Sequence, residues 1–147
     1  MTSAFENLRG HNKPLRAEPP DKQELEGLIH SGHARLRDAL NTSLSIESRF
    51  DLAYNAAHAF CLAALRWHGY RSSNRYVVFQ LLPHTLDLGP DVWRVLDKCH
   101  NIRNLGEYEG HLNIDGRIVT DLVVACQAVA VRVDALSPLP LFDRVSR

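Results

Sequence analysis

Apolar residues recur at intervals of three and four over most of the chain, the spacing of a helix with one buried face. Long helices are predicted over 21–40, 45–68, 91–109 and 117–136, and a short one over 75–82. The last long segment is rich in valine, but its length without Gly or Pro favours helix over strand. The pattern therefore predicts an all-α fold, an up-and-down antiparallel helical bundle.

Residues typical of helix ends stand at the boundaries of these segments. Ser45 is a candidate N-cap of the second long helix, and Gly69 follows its last residue. Asn74 is a candidate cap for the short helix, which Pro83 kinks or follows. Gly89–Asp91 combines a permissive N-cap, a proline where no amide donor is needed, and an anion near the positive helix end.

The second long helix is apolar around most of its circumference, which predicts the central and most buried helix. Tyr54 and His58, one turn apart, are its polar exceptions. His58 is expected to be a core histidine hydrogen-bonded to a neighbour, and both side chains are also candidates for a binding site. The small residues that would let other helices approach closely are Ala53, Ala56, Ala57, Ala59, Ala63 and Ala64.

The chain divides into one domain with a polar segment before it and a short tail after it. Residues 1–20 are polar and interrupted by three prolines, so they are expected to form a mobile or loosely docked arm. The helical bundle is predicted over 21–137. Residues 138–147 form a tail whose apolar part is Leu139–Phe142.

Composition narrows the classes of partner. The formal net charge is +0, so no global basic field attracts nucleic acid or an anionic membrane, and any RNA contact would have to be local. No apolar run is long enough to span a bilayer, and the start of the chain lacks the apolar core of a signal peptide. Cys61, Cys99 and Cys126 are expected to be buried free thiols, which favours a cytoplasmic location.

Neither metal nor cofactor is expected. His30 and His33 could face one side of the first long helix, but no carboxylate or thiolate stands nearby at ligand spacing, so solvated histidines are the prediction. Glycine-rich phosphate loops, paired cysteines and a Gly-x-Ser-x-Gly elbow are all absent from the sequence.

The end of the third long helix carries the most distinctive chemistry. Within a few residues, Arg103, Asn104, Glu107 and Tyr108 supply a guanidinium, an amide, a carboxylate and a phenol. If the helix continues past Gly106, Arg103 and Glu107 lie one turn apart and can pair. The group is either a surface ion pair at a helix end or part of a functional site.

Two segments together resemble the HEPN-domain family. The alanine-rich helix resembles the second helix of these proteins, and the end of the third long helix resembles the family motif in its "Arg…Asp-Tyr" version. The residues concerned are Ala53–His58, Ala63–Leu65 and Gly69–Tyr70 in the first segment, and Arg103–Asn104 and Glu107–Tyr108 in the second. The resemblance covers roughly residues 25–136. It implies a bundle that dimerises with motif residues around a shared cleft, as in bacterial toxin–antitoxin systems, often beside a small nucleotidyltransferase.

The sequence departs from the ribonuclease version of that motif. Active HEPN ribonucleases carry a His a few positions after the Arg, where this chain has Glu107 and Tyr108, while His111 lies slightly too far along. Metal-independent cleavage through a 2′-hydroxyl needs a base that works near neutral pH and a cation for the developing charge. Arg103 could be that cation, but a carboxylate is a poor base, so His111 or His100 would have to reach the cleft.

Three hypotheses follow. The preferred one is a dimeric, non-catalytic or weakly catalytic HEPN-like protein that binds a nucleotide, RNA or partner protein around Arg103, Asn104, Glu107, Tyr108, Tyr54 and His58. The partner would be an antitoxin or a small nucleotidyltransferase. The second is a ribonuclease toxin that uses Arg103 with His111 or Glu107. The third is a structural helical adaptor in which the Arg103–Glu107 pair only ties helix ends.

Overall fold

A computed structural model describes residues 4–10 and 13–139 and shows helices packed against one another with very little strand. The predicted all-α bundle is confirmed. In chain order the elements are α1 (Ala4–Leu8), β1 (Arg16–Ala17), α2 (Lys22–Ala39), α3 (Ile46–Trp67), β2 (Tyr70–Arg71), α4 (Arg75–Gln80), α5 (Leu82–Thr85), α6 (Pro90–Glu109) and α7 (Gly116–Asp134).

Local capping chemistry sets the helix boundaries. The Ser45 hydroxyl accepts a hydrogen bond from the backbone amide of Ser48, and the Asn74 side chain accepts one from Val77, so both predicted caps are confirmed. Asp115 caps α7 in the same way. At the end of α6, Gly110 adopts φ +81°, a left-handed conformation that terminates the helix with little strain.

α3 is the central helix, as its apolar circumference predicted. It packs against α2, α4, α6 and α7, and its alanines are buried. α2 approaches α3 closely, since a Cβ on Gly32 would stand only 2.7 Å from the Phe60 ring. α2 can therefore lie this close to α3 only because Gly32 has no side chain. Val92, Leu96 and Cys99, which recur at helical spacing on α6, are also buried.

The prediction of a mobile or loosely docked arm over 1–20 is wrong for its last part. Leu15 is fully buried, and β1 pairs antiparallel with β2 so that Ala17 faces Tyr70. The backbone carbonyls of Glu18 and Pro19 accept hydrogen bonds from Arg66 of α3. This part of the chain therefore belongs to the folded body.

Several other expectations have structural outcomes. All three cysteines are buried free thiols. His33 lies within 3.0 Å of Asp134 and edge-on to Phe60, so it is partly engaged, and the described residues contain no cluster suited to a metal ion. Trp67 donates a hydrogen bond to the backbone carbonyl of Ser137, the residue before the predicted tail. Residues 140–147 of that tail lie outside the described part. No helix in the described part has the length and apolarity needed to cross a bilayer.

Candidate functional site

Tyr54 is the buried base of a polar cluster formed by α3, α4 and α6. Its ring is fully buried, and its hydroxyl lies 2.9 Å from His100 Nδ1 on α6. The two rings are nearly parallel, with centroids 6.4 Å apart, and Phe79 of α4 packs edge-on against both. Side chains from α4 and α6 thus pack around one phenol of α3.

Two guanidinium groups lie over the Tyr54 ring. The Cζ of Arg103 is 5.1 Å from the ring centroid, and the Cζ of Arg75 is 5.5 Å from it. Both distances suit a cation–π contact, which orients each planar group. We call Tyr54, His58, Arg75, His100, Arg103 and Asn104 the Tyr54 cluster.

The positive charge of the Tyr54 cluster is only partly balanced. Arg103 forms the predicted ion pair with Glu107 at 3.3 Å, but the Glu107 side chain is 66% exposed. Arg75 donates to the Asn55 amide oxygen at 3.2 Å and makes no ion pair with any residue of the described ranges. Within these ranges Arg103 therefore has one ion-pair partner, which water screens, and Arg75 has none.

His58 is held in its neutral form. Burial lowers its pKa to about 4, and the positive charges of Arg75 and Arg103 act in the same direction. The expected hydrogen bond to a neighbour is not present within residues 4–10 and 13–139; the ring instead meets Phe79 edge-on, with centroids 6.0 Å apart. Because this imidazole is uncharged, the two arginines determine the local electrostatic potential.

His100 occupies the junction of the Tyr54 cluster. Its Nδ1 faces the Tyr54 hydroxyl, and its Nε2 lies 3.1 Å from the Asn104 amide nitrogen one turn later. If Asn104 donates to Nε2, the imidazole is neutral and its Nδ1–H donates to the Tyr54 oxygen. Burial lowers the pKa of His100, the nearby Asp97 opposes this, and both guanidiniums lower it further.

A second feature, an open hollow of about 350 Å³, adjoins Arg103. Gly110 turns the chain back at the end of α6, so that His111 and Leu112 fold over Gly106. A Cβ on Gly106 would stand 2.6 Å from the end of the Leu112 side chain and 3.2 Å from the His111 carbonyl oxygen, so a larger residue would force Leu112 to shift. The hollow is lined by Asp51, Arg103, Gly106, Glu107, Gly110, His111 and Leu112.

The structure assembles most of the predicted site residues but not all of them. Arg103, Asn104, Tyr54 and His58 meet in the Tyr54 cluster, and Glu107 and His111 line the adjoining hollow. Tyr54 is too deeply buried to touch a ligand, so it positions other groups. Tyr108 is 94% exposed and makes no hydrogen bond or ring contact within the described residues.

Sequence reasoning missed Arg75 and gave His100 only a secondary place. Asn74 marked the start of α4, and from that cap the position of Arg75 in the first turn was predictable. Its contact with Tyr54, 21 positions earlier in the chain, was not, because short helices carry no signal of the helix they pack against.

No protein-family model matches this chain, and no curated protein or solved structure shows significant similarity to it.

Proposed function

We propose that this protein is a HEPN-like helical bundle that binds the phosphate of a nucleotide or an RNA at the Tyr54 cluster. The observation that carries the proposal is the pair of guanidiniums over one buried tyrosine. Among the described residues, Arg103 has one largely exposed carboxylate as its ion-pair partner, and Arg75 has none. A neutral protein binds RNA only through such a local concentration of charge.

The physical argument rests on the fork shape of the guanidinium. Each group can donate two parallel hydrogen bonds to a phosphate, and Tyr54 holds both groups in place before the ligand arrives. Two like charges over one ring repel each other, and a bound anion would relieve that repulsion. Because His58 and His100 are favoured in their neutral forms, they add no further repulsion.

Homodimerisation is part of the proposal. Leu105 is 59% exposed, and Tyr108, one turn further along the same face of α6, is 94% exposed. A second copy packed on this face would cover both side chains. Motif residues from both copies around a shared cleft are what the HEPN resemblance implies. A small nucleotidyltransferase or an antitoxin is the partner class that the HEPN resemblance implies. Light scattering that shows a strict monomer would remove the shared cleft from the proposal.

A metal-independent ribonuclease is the second candidate, favoured by one observation. His111 lines the same hollow as Arg103 and Glu107, although the family spacing is not kept. A histidine base beside a fixed guanidinium is the minimum needed for attack by a 2′-hydroxyl. His100 is less suited to this role because both of its ring nitrogens are already engaged.

The test is binding of a labelled single-stranded RNA hexamer, measured by fluorescence anisotropy in EDTA. Arg103→Ala and Arg75→Ala should each weaken binding by roughly tenfold or more, the loss of a charge-assisted phosphate contact. Arg117→Ala, an exposed arginine on α7, is the matched control and should bind like the wild type. Equal affinities in Arg103→Ala and Arg117→Ala would refute the proposal.

The same reaction mixtures distinguish binding from catalysis. Separation on a denaturing gel should show intact RNA if the protein only binds it. Cutting by the wild type that disappears in both Arg103→Ala and His111→Ala would replace the binding proposal with the ribonuclease.

A further inference from the structure

Tyr76, in the first turn of α4, is a large aromatic residue left 41% exposed beside the Tyr54 cluster. Its ring lies 6.2 Å from that of His100, tilted by 31°, and its hydroxyl accepts a hydrogen bond from the Gln80 amide at 2.6 Å. The ring is therefore held by two contacts while a substantial part of it still faces solvent. Arg75, whose guanidinium lies over Tyr54, is its neighbour in the chain.

Asn104 approaches the same histidine from α6. One amide hydrogen is directed at His100 Nε2, and the other amide hydrogen and the carbonyl oxygen have no partner within the described ranges. A free donor next to a free acceptor matches the edge of a nucleobase, and an asparagine amide fits adenine particularly well. An aromatic ring and an open amide thus both meet His100, whose environment also includes the guanidiniums of Arg75 and Arg103.

We infer that Tyr76 is a stacking platform for an unpaired base. Asn104 hydrogen-bonds to the edge of this base, and Arg75 and Arg103 hold the phosphate of the same nucleotide. The inference rests on the proposed function and adds its specificity. Bases stack on aromatic side chains in proteins that bind single strands, and every base has a face that can do so. Bases in a duplex are already stacked and paired, so the site selects single-stranded RNA or a free nucleotide.

The experiment compares ligands with and without bases, using the full chain. The ligands are a labelled oligoadenylate hexamer, an abasic ribose-phosphate oligomer of equal length, and a duplex that contains the hexamer. Wild type should bind the hexamer roughly tenfold more tightly than the abasic oligomer or the duplex, the gain from stacking one base. Tyr76→Leu should abolish this preference without changing the affinity for the abasic oligomer. Tyr76→Phe, which keeps the ring and loses only the bond to Gln80, should retain it.

The two sources of the base are separated by competition. Adenosine monophosphate and ribose 5-phosphate are titrated against the labelled hexamer. Displacement by adenosine monophosphate at concentrations close to those of unlabelled hexamer would identify a free nucleotide as the ligand. A hexamer that competes far better would identify an RNA strand. Either result supports the inference if Tyr76→Leu weakens the binding of that ligand.

Failure of the inference and failure of the proposed function give different results. If the wild type binds the abasic oligomer as tightly as the hexamer, and Arg103→Ala loses both, stacking on Tyr76 is refuted and phosphate binding stands. If Arg103→Ala binds every ligand as the wild type does, the proposed function fails and the inference fails with it. Circular dichroism of Tyr76→Leu confirms that the helices are intact, as expected for a partly exposed residue.

Discussion

α3 contributes to two groups of arginines whose positive charges are neutralised to very different degrees. Near its C-terminal end, Arg66 is only 1% exposed, and its guanidinium pairs with Glu24 at 2.6 Å. The same group donates to the backbone carbonyls of Glu18, Pro19 and Tyr70. Three turns earlier, Tyr54 supports Arg75 and Arg103. Of these two, only Arg103 has an ion-pair partner among the described residues, the exposed Glu107.

The difference shows how burial separates structural from functional charge. Around Arg66 every hydrogen-bond donor direction is met from within the chain, and Arg71 joins the network through Glu18 and Glu24. Arg66 itself has no donor left for a ligand, and the network ties β1 and β2 to α2 and α3. In the Tyr54 cluster the cations are oriented but not saturated, which is the state that a binding site needs before its anion arrives.

The largest expected effect is on Arg66. Arg66→Met should lower the free energy of unfolding by about 3 kcal/mol, because it orphans three backbone carbonyls and leaves Glu24 without one of its two arginine partners. Urea unfolding followed by circular dichroism measures this loss. Arg71→Met, which removes a member of the same network whose side chain is 27% exposed, is the control and should lose less. Equal losses would show that the burial of Arg66 does not set its contribution.

Next in size is the acid sensitivity contributed by His58. In the fold its pKa is lowered to about 4, from the ordinary value of 6.5 that the unfolded chain keeps. Between pH 4 and pH 6.5 the unfolded chain binds a proton at this histidine and the folded protein does not. The contribution of His58 to stability is therefore fully present above pH 6.5 and decreases on acidification. The loss attributable to this residue approaches about 3 kcal/mol at pH 4, at 1.36 kcal/mol per pKa unit.

The measurement is urea unfolding of the wild type and His58→Gln between pH 7 and pH 4. The variant should lose less stability over this range, because glutamine does not titrate. Parallel curves for the two proteins would show that His58 is protonated in the fold as readily as in the unfolded chain. The lowering of the His58 pKa by burial and by the two nearby guanidiniums would then be wrong.

Arg103→Ala should have a much smaller effect on folding than Arg66→Met. Its side chain is 29% exposed and its partner Glu107 is mostly solvated, so the expected loss is about 1 kcal/mol or less, including the contact with Tyr54. The same variant should lose RNA binding. A loss of stability as large as that of Arg66→Met, with RNA binding unchanged, would favour the structural adaptor over the binding protein.

The sequence predicted one side of this comparison better than the other. Ser45, Asn74 and the run from Gly89 to Asp91 marked helix starts because capping depends on residues only two or three positions apart. The Arg103–Glu107 pair was predictable for the same reason, since it lies within one helical turn.

Contacts between distant segments gave no such signal. Arg66 pairs with Glu24, 42 positions earlier, and nothing in the local pattern distinguishes it from a solvated arginine at the end of a helix. The docking of Leu15 and the meeting of Tyr54 with His100 likewise depend on how whole elements pack. The spacing of apolar residues predicts which face of a helix is buried, but not which polar side chain of another element packs against it.

The smallest effect on stability, and the sharpest test of the comparison, is expected from Glu107→Gln. The folding free energy should change by no more than about 0.5 kcal/mol, because this ion pair is exposed. If Glu107 competes with a phosphate for Arg103, its neutral replacement should tighten RNA binding, roughly two- to fivefold, with the largest gain at low salt. Glu109→Gln, an exposed carboxylate at the same helix end, is the control and should show a smaller gain. Weaker binding by Glu107→Gln would mean that Glu107 orients Arg103 for the ligand, and the Tyr54 cluster would then resemble the network around Arg66 in depending on its carboxylate.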